Sequence, residues 1–131
     1  GVGHQLGVYV EHEGQVRKAS PNEMVSAGDR LQFTVSSAEP RYGGVLSRDG
    51  AGTGSVYYGE SGRAGRVAAG ERIALPHSTL LDETKGLERI YGVFCDAPLE
   101  LEPLRRTLEQ GGEELAAPAG CNVESWKIEK K

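Results

Sequence analysis

Aromatic residues are scarce in this chain, at 6% of 131 residues, and it holds only two cysteines, one methionine and one tryptophan. No apolar run approaches the ~18 residues that a membrane-crossing helix needs. Basic charge is not in excess: 15 Lys and Arg stand against 19 Asp and Glu, for a net charge of −4 and a pI of about 5.4. A nucleic-acid binder would carry a basic patch and a high pI. Neither cysteine has a second one two to four residues away, and His4, His12 and His77 are scattered, so a zinc site is not written here. The chain opens Gly1-Val2-Gly3-His4, without initiator methionine, signal peptide or anchor, and is expected to be a processed protein or an excised domain.

What is abundant is glycine, at 19 residues, beside 6 prolines. Helix bundles do not tolerate that, and the length suits one domain with one core. Alternation of apolar and polar residues dominates. Leu6, Val8 and Val10 alternate with Gly7, Tyr9 and Glu11, and Leu31, Phe33 and Val35 with Gln32, Thr34 and Ser36, the pattern of half-buried strands. Further strands are expected at Val16–Lys18, Tyr42–Ser47, Ser55–Tyr58, Arg72–Leu75 and Thr79–Asp82. In Glu88–Asp96, Ile90 and Phe94 point one way and Tyr91, Val93 and Cys95 the other, as in a strand covered on both faces. A last strand over Asn122–Glu129 changes parity between Val123 and Trp126, which suggests a bulge. Leu101, Leu104 and Leu108 switch to helical spacing, with Pro103 at a first-turn position and Gly111-Gly112 as a stop. The expectation is a mainly β, immunoglobulin-like antiparallel β-sandwich of eight or nine short strands, with one short helix near Pro103–Gln110 lying on it.

The residues offer little assembled chemistry. Asp49-Gly50-Ala51-Gly52-Thr53-Gly54 is glycine-rich, but a strand rather than a helix follows it and no Lys-Ser/Thr pair does. It reads as a long hairpin turn rather than a phosphate loop. His77-Ser78 lacks a nucleophile elbow, and Cys95 lies in the most apolar strand, where a thiol is usually inert. Gly62, Arg63, Gly65 and Arg66 form a short loop that reads as a solvated connection. Tyr57 and Tyr58, with Tyr42 and Tyr9, have the residue type to line a ligand groove, although strand tyrosines are commonly core or cross-strand partners. No catalytic residue, metal or cofactor is read from these features. The acidic excess is local to Asp96–Ala116.

Cys95 and Cys121 permit one disulfide of a single connectivity, and closing that loop would be worth about 3.5 kcal/mol in a chain-entropy estimate. The alternative is two reduced thiols, with Cys95 as a small buried hydrophobe.

Several phrases, taken in order, carry a resemblance. They are Gly28-Asp29-Arg30-Leu31-Gln32-Phe33, Ser47-Arg48-Asp49-Gly50-Ala51-Gly52, Val56-Tyr57-Tyr58, Leu81-Asp82-Glu83-Thr84, Gly86-Leu87-Glu88-Arg89-Ile90-Tyr91-Gly92-Val93-Phe94-Cys95 and Gly120-Cys121-Asn122-Val123. Over roughly Leu6–Lys130 the chain resembles an uncharacterised bacterial extracytoplasmic domain, of the domain-of-unknown-function type. That domain is found in membrane-anchored anti-sigma factors, kinases and related envelope proteins. The sequence departs from the pattern at Gly43-Gly44, where bulkier strand residues are expected, and at Gly59, where a proline is. Both departures would loosen a strand or its turn.

The resemblance implies a periplasmic or extracytoplasmic domain in which Cys95 and Cys121 pair, with no catalytic residues. In the full-length protein it implies an attached transmembrane helix and a cytoplasmic module. The expected function is that of a non-catalytic sensor or interaction domain of a transmembrane anti-sigma factor, meeting an envelope protein or peptide partner and no nucleic acid. Tyr42, Tyr57 and Tyr58 are its candidate contact surface, and a peptide strand added to an open sheet edge is the expected mode. The alternative is a soluble or lipoprotein module that binds carbohydrate or peptide.

Overall fold

The computed structural model describes residues 4–111 and 114–131. Eleven strands and one helix follow in order among them: β1 (His4–His12), β2 (Gln15–Lys18), β3 (Glu23–Val25), β4 (Arg30–Ser37), β5 (Arg41–Arg48), β6 (Gly54–Tyr58), β7 (Gly65–Val67), β8 (Gly70–Ala74), β9 (Thr79–Leu80), β10 (Gly86–Cys95), α1 (Glu102–Glu109) and β11 (Cys121–Lys130). The first sheet has the order β2-β1-β4-β8, with β9 also on β4. The second has the order β3-β11-β10-β5-β6, with β7 also on β5. Apart from the short β3, which joins the second sheet, the chain crosses to the second sheet between β4 and β5, returns between β7 and β8 and crosses again between β9 and β10, which gives the A-B-E and C-F-G sheets of an immunoglobulin-like sandwich.

The alternations read in the sequence set the layers. Leu6, Val8, Val10, Leu31, Phe33 and Val35 from the first sheet meet Val45, Ile90, Phe94 and Ile128 from the second, all buried in one core. Tyr91, Val93 and Cys95 face away from that core into another, formed with Leu46, Leu101 and Leu108 under α1. The two-sided pattern of β10 thus has a direct cause: one face meets the sandwich partner and the other the helix. Pro103 stands in the first turn of α1, Arg105 braces the helix through its own Glu102 at 2.7 Å and Glu109 at 3.1 Å, and Glu109 ties it to β6 by accepting the Gly54 N–H at 3.0 Å.

Three expectations need correction. Eleven strands replace eight or nine, because β3 and β7 are three residues each and too short to show a period in the sequence. The last strand carries no bulge: β10 and β11 pair without a break from Gly86↔Lys130 to Cys95↔Cys121. Its change of parity reflects two covered faces, with Val123 packing on the helix side and Trp126 on the sandwich core. Nor do Gly43 and Gly44 loosen β5. A Cβ on Gly44 would come within 2.9 Å of both Leu101 methyls, and one on Gly59 within 2.8 Å of Leu101 Cδ1. The missing side chains form the seat of a fully buried leucine.

Candidate functional site

Helix α1 covers the centre of one outer face of the sandwich, whereas the outer face of the first sheet is open among the described residues, and a groove of about 930 Å³ runs across its end. Alternation in β1 sends Gln5, Gly7 and Tyr9 to this face, and β4 sends Thr34 and Ser36. The register sets Gly7 opposite Thr34, Gln5 opposite Ser36, and Lys18 of β2 opposite Tyr9. Gly7 leaves room for the Thr34 hydroxyl. A Cβ there would meet Thr34 Oγ1 at 2.4 Å and lie 3.6 Å from Tyr9 Cε2, so any side chain would displace the hydroxyl and lie against the ring.

The far wall is a β-bulge. Between Val35↔Ile73 and Ser37↔Gly70, the single residue Ser36 faces both Glu71 and Arg72. Arg72 adopts φ 49°, and its N–H donates to Ser36 Oγ at 2.9 Å. A non-glycine residue in the left-handed region stores strain that the surrounding structure must hold, and bulges are a means of re-aiming side chains. Here the bulge places Glu71 and Arg72 along the groove.

The near wall comes from the other sheet. Glu124 Oε2 accepts the N–H of Leu6 at 2.6 Å, and Trp126 Nε1 donates to the Leu6 carbonyl at 3.3 Å. These are the backbone groups that an added strand would use on this side of β1. Burial holds the Glu124 carboxyl above its ordinary range, and the Leu6 N–H opposes that shift without cancelling it.

The tyrosines expected to form one contact surface are dispersed. Tyr42 packs on the helix-side core. Tyr58 is buried, and its hydroxyl donates to the Arg66 carbonyl at 2.9 Å. Tyr57 is the extra residue of a second bulge, between Val45↔Tyr58 and Leu46↔Val56. Its ring therefore turns toward the same core as Tyr58 and stacks on Phe33, with centroids 5.9 Å apart. Tyr9 alone of the four tyrosines considered lines the groove.

The Tyr57 hydroxyl leads to a cluster that the sequence reading did not find. It donates to Glu88 Oε2 and lies within reach of Ser47. Glu88 Oε1 in turn stands 3.5 Å from Lys130 Nζ, which also reaches Asp82 Oδ1 at 2.7 Å. Burial, reinforced by the Glu88 charge, pushes the Tyr57 phenol far above its usual range. The Lys130 ammonium holds the Asp82 carboxyl below its own. Parity carried the missed signal: Glu88 shares a face with Ile90 and Phe94, and Lys130 with Ile128.

The remaining constellations stay apart or are consumed. Cys95 and Cys121 form a disulfide across the β10–β11 pair, and no free thiol remains. Ser78 Oγ accepts from Arg30 at 3.4 Å. His12 pairs with the buried Asp29 at 2.5 Å, where Asp29 also accepts the Ser26 N–H. Arg63 of the Gly/Arg loop pairs with Glu100 at 2.9 Å. Asp49 Oδ1 accepts the N–H groups of Ala51 and Thr53, closing the β5–β6 hairpin. No group of three His, Cys, Asp or Glu among the described residues could hold a metal ion, and none of the described helices is long and apolar enough to cross a membrane.

No family model matches the chain, and no curated protein or solved structure does.

Proposed function

We propose that this sandwich is a non-catalytic extracytoplasmic binding domain, the sensor or interaction part of a membrane-anchored regulator of the transmembrane anti-sigma type. The observation that carries the reading is the asymmetry of its two outer faces. Helix α1 packs over Leu46 and Tyr91 on one, and the other opens a polar groove built from both sheets. The Cys95–Cys121 bond supports an oxidising compartment. The resemblance in residue order supports the membrane-anchored context, with an attached helix and a cytoplasmic module that responds to what the groove holds. The candidate contact surface of Tyr42, Tyr57 and Tyr58 gives way in this reading to the groove around Tyr9.

The test is photo-crosslinking in the native envelope, with the reactive group at Gln5 and, as a control, at Glu83 outside the groove. Capture of an envelope component from Gln5 alone is the expected result. Equal labelling from both positions, or a cytoplasmic location of the full-length protein, would overturn the proposal.

A second reading, the soluble or lipoprotein carbohydrate- or peptide-binding module, gains its carbohydrate form from the hydroxyl and amide groups around Tyr9. Its peptide form by strand addition along β1 loses ground, because Glu124 and Trp126 already occupy the Leu6 backbone.

A further inference from the structure

We infer that the groove on the open sheet face takes a hydroxyl-rich oligosaccharide, seated against the Tyr9 ring and above Gly7. The inference rests on the binding-domain reading and names its ligand class. Four features of the lining converge on it.

The first is hydrogen-bonding character. Gln5, Thr34 and Ser36 offer groups that both donate and accept, and sugar hydroxyls likewise do both. The second is charge. Lys18 and Arg72 are balanced by Glu71 and Glu124 across the same groove, so the lining sets up no net field for a polyanion or a polycation to follow. The third is the half-buried tyrosine. Its ring presents an amphipathic surface of the kind that accepts the apolar face of a polar ligand, and the absence of a side chain at Gly7 keeps that ring accessible. The fourth removes the chief competitor: at Leu6, Glu124 and Trp126 already satisfy the N–H and C=O that a peptide strand would need. The volume lies at the upper end of small-ligand sites, which suits several linked sugar units better than one. The strained Arg72 backbone, fixed by Ser36, keeps the far wall in place before any ligand arrives.

The experiment is calorimetric titration of the intact, oxidised protein with a panel of neutral and uronic-acid oligosaccharides, and with inorganic polyphosphate as the anionic control. At least one saccharide is expected to bind, with affinity falling about tenfold or more in Tyr9→Ala. Thr34→Ala tests the same seat without touching the ring, and thermal melts establish that both variants fold. Saccharide binding that Tyr9→Ala and Thr34→Ala leave unchanged would overturn the inference, as would binding of polyphosphate alone, or no saccharide bound at millimolar concentration. In each of those cases groove-specific crosslinking to an envelope protein would leave the binding-domain reading standing, so the two fail separately.

Discussion

The ammonium of Lys130 stands 3.5 Å from the carboxylate of Glu88, with the two side chains only 2% and 1% exposed. They belong to the adjacent strands β11 and β10 and sit diagonally across the register, since Glu88 pairs with Ile128 and Gly86 with Lys130. Each charge is held inside the protein by the other. Asp82 at the rim and Tyr57 within complete their hydrogen bonds.

Removing one partner should therefore cost more than removing both. Lys130→Met leaves the Glu88 carboxylate buried without its cation, and stability should fall by about 3–5 kcal/mol. The double variant Lys130→Met/Glu88→Leu should recover most of that loss, with Ser47 still available to Tyr57. Urea midpoints of the three proteins decide the matter. A double variant as unstable as the single one would mean that shape, not charge, sets the cost.

Reduction of the Cys95–Cys121 bond should lower stability by about 3.5 kcal/mol, the loop-closure estimate for its span. The check is a pair of urea titrations with and without reductant. Intact mass after alkylation without prior reduction should show both cysteines protected. Two alkylated thiols in folded protein would contradict the bond.

Protons should report on Glu124. Its folded pKa is raised by burial, so between the ordinary glutamate value and that raised value the folded state binds more protons than the unfolded chain does. Its contribution is fully present below the ordinary value and is lost as pH rises through the window. Asp82 has the opposite sign: its depressed pKa supports the fold above the ordinary aspartate value, and that support fades on acidification. Melting temperatures from about pH 2 to pH 7, compared between the parent and Glu124→Gln, separate the two. The variant should lose the decline that appears as pH rises and keep the acid limb.

Leu101 and its glycine seat supply a packing test. Gly44→Val should overpack the seat and cost about 1–3 kcal/mol, and Leu101→Ala should empty it at about 2–5 kcal/mol. Combining Gly44→Val with Leu101→Ala should cost less than the sum, because the new side chain enters the vacated space. Strict additivity would mean that the leucine does not depend on the glycine.

The sandwich was legible because alternation reports which face of a strand is buried: the long strands β1 and β4 alternate cleanly, and β10 is apolar on both faces. Helix α1 was legible because its leucines change period. The groove was not. Its walls are two irregularities, a bulge that turns Arg72 and a pair of β11 side chains that reach across to Leu6, and neither has a period. The direction of the Tyr57 ring was not legible for a related reason. Adjacent strand residues should point opposite ways, and only the extra residue at Tyr57 turns both rings inward. Glu88 and Lys130 were readable in principle, since parity alone puts both on the core face.

The staple between β10 and β11 closes the chain at the base of the helical excursion, where Cys95 pairs directly with Cys121. A pull transmitted along the polypeptide from one strand to the next runs through the sulfur bridge, and the helix between them bears none of the tension. Under load on the two ends of the chain, the cover over Tyr91 thus carries no tension and stays seated by its own contacts alone.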